Sequence, residues 1–256
     1  MTTVTAPSTL RLTLLHAKYS LLETARVPMA LIGTFVFPAL ALVFFVVPQR
    51  VVADNPEYAT QAVISMSVFA VMVNALFNFG MTTSQAREKP WDPYLRTLPA
   101  PAIARLLAQI LAVGLIGILA IIPVIVVGGF LTAAEASPLR ILAGVAALLA
   151  ASIPFMLVGA AIGYSLSFKA ALVVIQIAMF GFAFLGGLFL PPSMFAPWLD
   201  VASAVTPTRQ AREFVVWAVQ GGTLEWWAWV GLLGWSVALL ALALFLFRRD
   251  EGRRFR

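Results

Sequence analysis

Six long apolar runs, separated by short polar stretches, constrain the fold of this chain more than any other feature. They cover approximately residues 30–47, 62–82, 103–130, 141–166, 170–190 and 228–247. Each run is close to or above the roughly 20 residues that a helix needs to cross the hydrocarbon of a bilayer. Hydrophobic residues make up 61% of the chain and charged residues 11%, which is outside the range of soluble domains. We therefore predict one all-helical integral membrane domain over residues 1–256, with six transmembrane helices between residues 30 and 247.

The basic residues predict how these helices are oriented. If both termini are cytoplasmic, 13 of the 17 Lys and Arg residues lie on the inner side. The other four, on the outer side, are Arg50, Arg140, Arg209 and Arg212. Such an excess of positive charge is typical of cytoplasmic loops. We therefore predict cytoplasmic termini and a basic tail at residues 248–256, and we assign the net charge of +6 to membrane orientation rather than to nucleic-acid binding.

A helical pattern precedes the first apolar run. Over residues 9–26 the apolar positions recur at helical spacing, and most of the charged residues fall off that stripe. Ser8 or Thr9 could cap the start of this helix. We predict an amphipathic interface helix on the cytoplasmic surface, with a role as a plain membrane anchor as the alternative.

One interior segment, residues 85–101, concentrates both charges and prolines, and we call it the charged segment. Pro90 and Pro93 fix backbone torsions within it, and Pro99 and Pro101 end any helical turn before the next run. The turn would have an apolar side made of Trp91, Tyr94, Leu95 and Leu98. We predict a short, rigid element at the cytoplasmic surface that another protein grips. The alternative is an amphipathic turn that lies against lipid headgroups.

The longest outer connection, residues 191–227, is also patterned. Pro191 and Pro192 break the fifth run, and Thr206-Pro207 supplies an N-cap followed by proline at the first helical position. The helix that follows would end at Gly221-Gly222 and rise only about 20 Å, which is too short to cross a bilayer. We predict a re-entrant or interfacial hairpin packed on protein, with a surface amphipathic helix as the alternative.

The apolar runs lack the groups that catalysis or ion coupling requires. No Asp, Glu, Lys, Arg or His lies at mid-depth in any of them, and the chain has no cysteine. The sequence also lacks the phosphate-binding pattern G-x-x-x-x-G-K followed by Ser or Thr. We therefore predict no catalytic residue, no metal site and no cofactor bound by this chain. A membrane enzyme acting on lipid, or a structural or sensory membrane protein, remains as the alternative class.

The few polar side chains within the runs have two interpretations. Asn74 and Asn78 are four residues apart, so they share one face of the second helix, and Gln176 lies in the fifth. These amides either tie helices together by hydrogen bonds or line a path for an amphipathic substrate. The candidate path residues are Asn74, Phe77, Asn78, Gln176, Met179 and Phe180.

Two local motifs resemble those of a known family. The first is Arg87-Glu88-Lys89 followed by Leu95-Arg96-Thr97-Leu98-Pro99, which is similar to a charged start and an L-x-x-L-P close. The second runs from Gly187 to Pro191, continues through Met194, Pro197, Trp198 and Leu199, and reaches Thr206-Pro207. On these motifs the chain resembles the membrane subunit of a type-2 ABC exporter, the permease family of drug, lipid and polysaccharide exporters. Thr206 stands where that family usually has Asn.

The resemblance implies a bacterial cell-membrane permease that exports its substrate from the cytoplasm or inner leaflet. The apolar, aromatic-rich helix faces favour a hydrophobic or amphipathic, drug or lipid-like substrate over a sugar polymer. It implies two copies of a separate ATP-binding subunit carrying ATP and Mg²⁺, a second permease chain, identical or related, and surrounding membrane lipids. The second and fifth helices would line the path. A coupling helix would contact the ATPase through Arg87, Glu88, Lys89, Trp91, Asp92, Tyr94, Leu95, Arg96 and Leu98. An outer gate would contain Gly187, Pro191, Pro192, Met194, Phe195 and Trp198.

Overall fold

The computed structural model describes residues 8–26, 28–89 and 102–254, and it is 86% helical, with no strand in those ranges. The helices, in chain order, are α1 (Thr9–Ala25), α2 (Pro28–Phe45), α3 (Arg50–Ala53), α4 (Pro56–Glu88), α5 (Ala102–Leu131), α6 (Pro138–Ser165), α7 (Phe168–Leu185), α8 (Pro197–Ala204), α9 (Pro207–Gln220) and α10 (Trp226–Arg254). A single 3-10 turn, Pro192–Met194, precedes α8. The predicted all-helical fold class is confirmed.

Five of the described helices, namely α4, α5, α6, α7 and α10, are long and apolar enough to cross a membrane. The apolar part of α2, Gly33–Phe45, is shorter. Each of the six predicted runs therefore falls on a helix, but the bounds differ. α4 and α10 extend beyond their runs, whereas α7 ends at Leu185, five residues before the predicted end of its run. α4 has 33 residues because the side chain of Asn55 accepts hydrogen bonds from Glu57 N and Tyr58 N, which caps the helix at Pro56. Residues 248–254, expected as a basic tail, continue α10.

α4 is the centre of the bundle. It packs against α2, α5, α6, α7 and α9, and 78% of the most apolar 18-residue stretch of the helix is buried. Its contact with α6 is close enough to involve backbone atoms. A Cβ atom on Gly159 would lie 3.1 Å from the nitrogen of Gly80, and one on Gly163 would lie 2.7 Å from the oxygen of Gly80. Small residues allow membrane helices to approach in this way.

Polar contacts bring four parts of the chain together at one end of the bundle. α1, the last turn of α4, the α6–α7 connection and the C-terminal part of α10 meet there. We call this the terminal end. The opposite end, which we call the hairpin end, carries α3, the connection at residues 132–137, α8 and α9.

The helix predicted after Thr206-Pro207 is present and begins and ends as expected. The side chain of Thr206 accepts a hydrogen bond from the nitrogen of Arg209, and the helix α9 ends at Gly221, whose φ is +85°. α9 packs against α4, α6 and α10, and one face of it is buried. A helix lying free on the membrane surface, the alternative at this position, does not fit that burial.

Candidate transport site

An apolar groove of about 580 Å³ lies between α1, α2, α4 and α7. It runs from Glu23 and Gln85 at the terminal end to Phe37 and Val73 near the middle of the bundle. Three of the six predicted path residues line it, namely Phe77, Asn78 and Met179. Half of its lining residues therefore come from α4, the second long run of the sequence.

The other predicted path residues lie elsewhere. Asn74 is only 1% exposed, and its amide nitrogen donates to the oxygen of Val113 on α5 at 2.7 Å. Its side-chain oxygen accepts a hydrogen bond of 2.7 Å from Asn78, so Asn74 holds Asn78 at the groove wall. Gln176 and Phe180 are exposed on α7, beside the face that carries the buried Ile175 and Met179.

An aromatic cluster occupies the space between this groove and the hairpin end. The ring of Phe69 lies 5.8 Å from Phe37 and 4.9 Å from Phe189, measured between centroids. Phe189 also contacts Phe45 at 5.5 Å and Phe184 at 5.2 Å. Tilted ring pairs at these distances attract each other beyond the area they bury. Sequence reasoning missed this cluster because its members come from α2, α4, α7 and the connection after α7.

Arg87, one of the predicted coupling residues, joins α4 to α10 and to the end of α6. Its guanidinium forms an ion pair with Asp250 on α10, with Nη2 2.8 Å from Oδ1. Nη1 donates to the backbone oxygens of Gly163 at 2.8 Å and Leu166 at 3.1 Å, at the C-terminus of α6. A positive charge is favourable there because the helix dipole is negative at that end.

Glu88 and Lys89 continue this arrangement. The Oε1 atom of Glu88 accepts a hydrogen bond of 2.8 Å from the nitrogen of Phe168, at the N-terminus of α7. Lys89 lies 3.9 Å from the carboxylate of Glu23 on α1. We call Arg87, Glu88 and Lys89 the junction, since they join the start of the charged segment to four helices. The other predicted coupling residues, Trp91, Asp92, Tyr94, Leu95, Arg96 and Leu98, lie outside the described residues.

The predicted outer gate lies in the turn between α7 and α8. Gly187 has a φ of +71°, and a Cβ atom there would lie 2.8 Å from Pro192, so the turn requires glycine. Pro191 and Phe195 are half-buried. Met194 and Trp198 are exposed by 67% and 72%, so their side chains are available to a neighbouring molecule or to lipid.

A buried arginine at the hairpin end was not identified from the sequence, which placed it among the basic residues of an outer loop. Arg212 on α9 is 4% exposed. Its Nε donates to Ser65 at 2.9 Å, its Nη2 donates to Gln61 at 3.1 Å, and its Nη1 lies 2.7 Å from the carboxylate of Glu213. Burial lowers the pKa of Arg212, and the charge of Glu213 opposes that shift.

This network extends outward through Arg209, which contacts Glu213 at 3.1 Å and Asp200 on α8 at 3.5 Å. It therefore connects α8, α9 and α4 at the hairpin end. Within the described ranges, no three His, Cys, Asp or Glu side chains lie close enough to hold a metal ion.

The comparison with protein families decides the class of the chain. The model of the ABC-2 type transporter family matches residues 11–220, which include α1, the groove, the junction and α9. The chain belongs to the ABC-2 type transporter family. A relative, "Putative transport permease YvfS" of Bacillus subtilis (strain 168), is 22% identical over 201 residues, covering 78% of this chain and 82% of YvfS.

This membership confirms the resemblance carried by the two sequence motifs. The ABC-2 family member described here is a multi-pass membrane protein and a transporter permease. Permeases of this family are the membrane subunits of transporters and typically work with ATP-binding subunits. In this fold the groove is the candidate for the transport path, and the junction is the candidate for contact with an ATP-binding subunit.

Proposed function

We propose that this chain is the permease subunit of an ATP-driven exporter in a bacterial cell membrane, with both termini in the cytoplasm. It moves a hydrophobic or amphipathic substrate, drug or lipid-like, out of the cytoplasm or the inner leaflet. ATP and Mg²⁺ are bound by two copies of a separate subunit, and a second permease chain completes the path.

The observation that carries this proposal is the asymmetry of the groove. Its walls reach the terminal end, where most of the basic residues of the chain lie, and an aromatic cluster stands between it and the hairpin end. A substrate from the cytoplasm or the inner leaflet would enter an arrangement of this kind. The lining combines apolar residues such as Phe37, Val73 and Phe77 with polar side chains that include Asn78, Gln85 and Glu23. This mixture favours an amphipathic compound.

The junction supports the coupling part of the proposal. A partner subunit that displaces the charged segment would also displace Arg87, Glu88 and Lys89, which contact α1, α6, α7 and α10. Motion of a partner subunit would thus reach both the groove-lining helix α4 and the helices around it. The exposed face of α7, which carries Gln176 and Phe180, is a surface that the second permease chain would cover.

Transport is tested by reconstituting the chain with its copurifying ATP-binding subunit in proteoliposomes. ATP-dependent movement of a fluorescent hydrophobic dye and of a fluorescent phospholipid is measured. We expect Phe77→Trp, inside the groove, to bring movement close to background, because the added ring volume obstructs the groove. Val237→Trp, on the exposed face of α10, should leave movement unchanged. Movement that is independent of ATP, or equal in both variants, would contradict the proposal.

The ATPase partner is tested separately by isolating the chain from its native membrane and assaying copurifying ATPases. Leu95→Asp should abolish ATP-dependent transport while the chain remains assembled in detergent. Recovery of the chain without any ATP-binding subunit, or normal transport by Leu95→Asp, would contradict the assignment of the charged segment.

A further inference from the structure

A second cavity lies at the hairpin end, within the single chain and away from the groove. It measures about 200 Å³, is lined by α4, α5, α6 and α9 and by the connection before α6, and is open on one side. Its interior is formed by aliphatic side chains, among them Val63, Ile121, Ile125, Leu148 and Val215. One water molecule needs only about 15 Å³ of such space, so the aliphatic part of this cavity is large enough for part of an apolar ligand.

The cavity continues into a polar mouth of about 610 Å³. Thr60, Glu135, Ala136 and Val219 line both spaces, so the mouth opens directly onto the apolar interior. The charged side chains of the mouth are Glu57, Glu135 and Arg140. In the described part of the chain, none of these three forms an ion pair.

Hydrogen bonds fix the walls of this mouth. The hydroxyl of Thr60 accepts a hydrogen bond of 3.0 Å from the nitrogen of Glu135, which ties α4 to the connection before α6. Gln220 donates to the oxygen of Glu57 at 3.0 Å, and Arg140 donates to the oxygen of Ala218 at 3.3 Å, which ties α9 to α4 and α6. The backbone is thus held in place, while both carboxylates and the remaining N–H groups of Arg140 are left for a ligand.

We propose that this cavity binds a zwitterionic phospholipid, with part of one acyl chain in the apolar interior and a phosphate–ammonium head in the mouth. Arg140 contacts the phosphate, since guanidinium matches the geometry of phosphate oxygens. Glu57 and Glu135 contact the ammonium group. A lipid with an anionic head that lacks the ammonium leaves both carboxylates without a partner, and an alkylamine leaves Arg140 without one. The site is independent of the groove and of any ATPase.

The test uses the full chain in nanodiscs of phosphatidylglycerol, with tritiated lyso-phosphatidylethanolamine as the probe. We expect the labelled probe to bind saturably. Unlabelled lyso-phosphatidylethanolamine should displace the probe about tenfold more effectively than lyso-phosphatidylglycerol or an alkylamine does, because each of these two competitors lacks one charged contact. Adding diacyl phosphatidylethanolamine to the nanodisc distinguishes the two sources of this chemistry. Displacement at equal headgroup concentration identifies a membrane lipid as the ligand, and no displacement identifies a single-chain lipid.

Matched variants locate the binding. Ile125→Trp fills the cavity and should weaken binding at least about tenfold, whereas Ile122→Trp, on the exposed face of the same helix, should not change it. Arg140→Gln should remove the preference for lyso-phosphatidylethanolamine over the alkylamine. This variant keeps the proposal testable if Ile125→Trp does not fold. Arg50→Gln, an exposed arginine at the same end, is its control. Non-saturable uptake, or equal binding by all variants, would overturn the proposal.

Discussion

Two arginines hold the two ends of α4, and they do so in different surroundings. Arg212 at the hairpin end is almost fully buried and bonds only to side chains, on α4 and on its own helix. Arg87 at the terminal end has a side chain that is 22% exposed, and it bonds to a carboxylate and to two backbone oxygens at a helix end. The arginine of the hairpin end is therefore desolvated, whereas the arginine of the terminal end is partly open to water although its partner Asp250 is buried. Near water a polar contact is exchanged at lower cost, so the terminal end is the better suited of the two to move.

The largest effect is expected at the buried arginine. Arg212→Met should lower the free energy of unfolding by about 3 kcal/mol, because Gln61, Ser65 and Glu213 lose their donor in a buried site. Denaturant titration of the purified chain in detergent measures it. Arg50→Met, at an exposed pair with Asp54, is the control and should change stability by less than about 0.5 kcal/mol. An equal, small loss in both variants would mean that the hairpin end is not closed by desolvated contacts.

The partly buried arginine should have a smaller effect. Arg87→Met should lower the free energy of unfolding by about 2 kcal/mol, since it removes charge-assisted hydrogen bonds to Asp250, Gly163 and Leu166. A double-mutant cycle with Asp250→Asn measures the pair itself, with an expected coupling of about 1 kcal/mol. Strictly additive losses would show that the ion pair does not join α4 to α10.

The N-cap of α9 is the next contact in order of size. Thr206→Ala should reduce stability by about 1 kcal/mol, because the nitrogen of Arg209 loses its side-chain acceptor. Thr206→Asn keeps an acceptor and should stay within about 0.5 kcal/mol of the parent chain. If the two variants behave alike, the cap does not contribute to holding the hairpin end, and the comparison then depends on Arg212 alone.

The smallest effect belongs to the terminal end. Glu88→Gln should lower the free energy of unfolding by about 0.5 kcal/mol, because it removes a negative charge from the N-terminus of α7 while keeping an oxygen for the nitrogen of Phe168. The loss should shrink as salt is added, since exposed charges are screened. Asp54→Asn is a matched exposed control. A loss that does not depend on salt would place Glu88 in a drier site than the comparison assumes.

The sequence predicts those parts of the fold that depend on local chemistry. Length and apolarity locate the spanning helices, and Thr206, Pro207 and Gly221 locate both ends of α9, because capping and turn geometry are determined within a few residues. The pairing of Arg212 with Ser65 is not local, since the two residues are 147 positions apart. A count of basic residues places such an arginine in a solvent-exposed outer loop. Only the packing of α9 against α4 shows that it lies in the interior.

For the candidate site, the sequence predicts which residues share a helix face but not which residues they contact. Periodicity assigns Asn74, Phe77 and Asn78 to neighbouring positions on α4, but it does not show that Asn74 bonds to α5 while Phe77 and Asn78 line the groove. The aromatic cluster required knowledge of how α2, α4 and α7 cross. The charges of the junction were recognised from the sequence, whereas their bonds to helix ends depend on the α6–α7 connection lying beside α4.

The backbone contact between α4 and α6 has a mechanical consequence. Gly80, Gly159 and Gly163 leave no space between the two helices for sliding or tilting without steric overlap, so α4 and α6 must rotate or translate as a single rigid body. In the proposed transport cycle, the wall of the groove that α4 supplies therefore keeps its shape. If the groove is the proposed path, the displacement that exposes a substrate to the other side comes from α2 and α7, which line the groove beside that wall and carry the aromatic rings Phe37, Phe45 and Phe184.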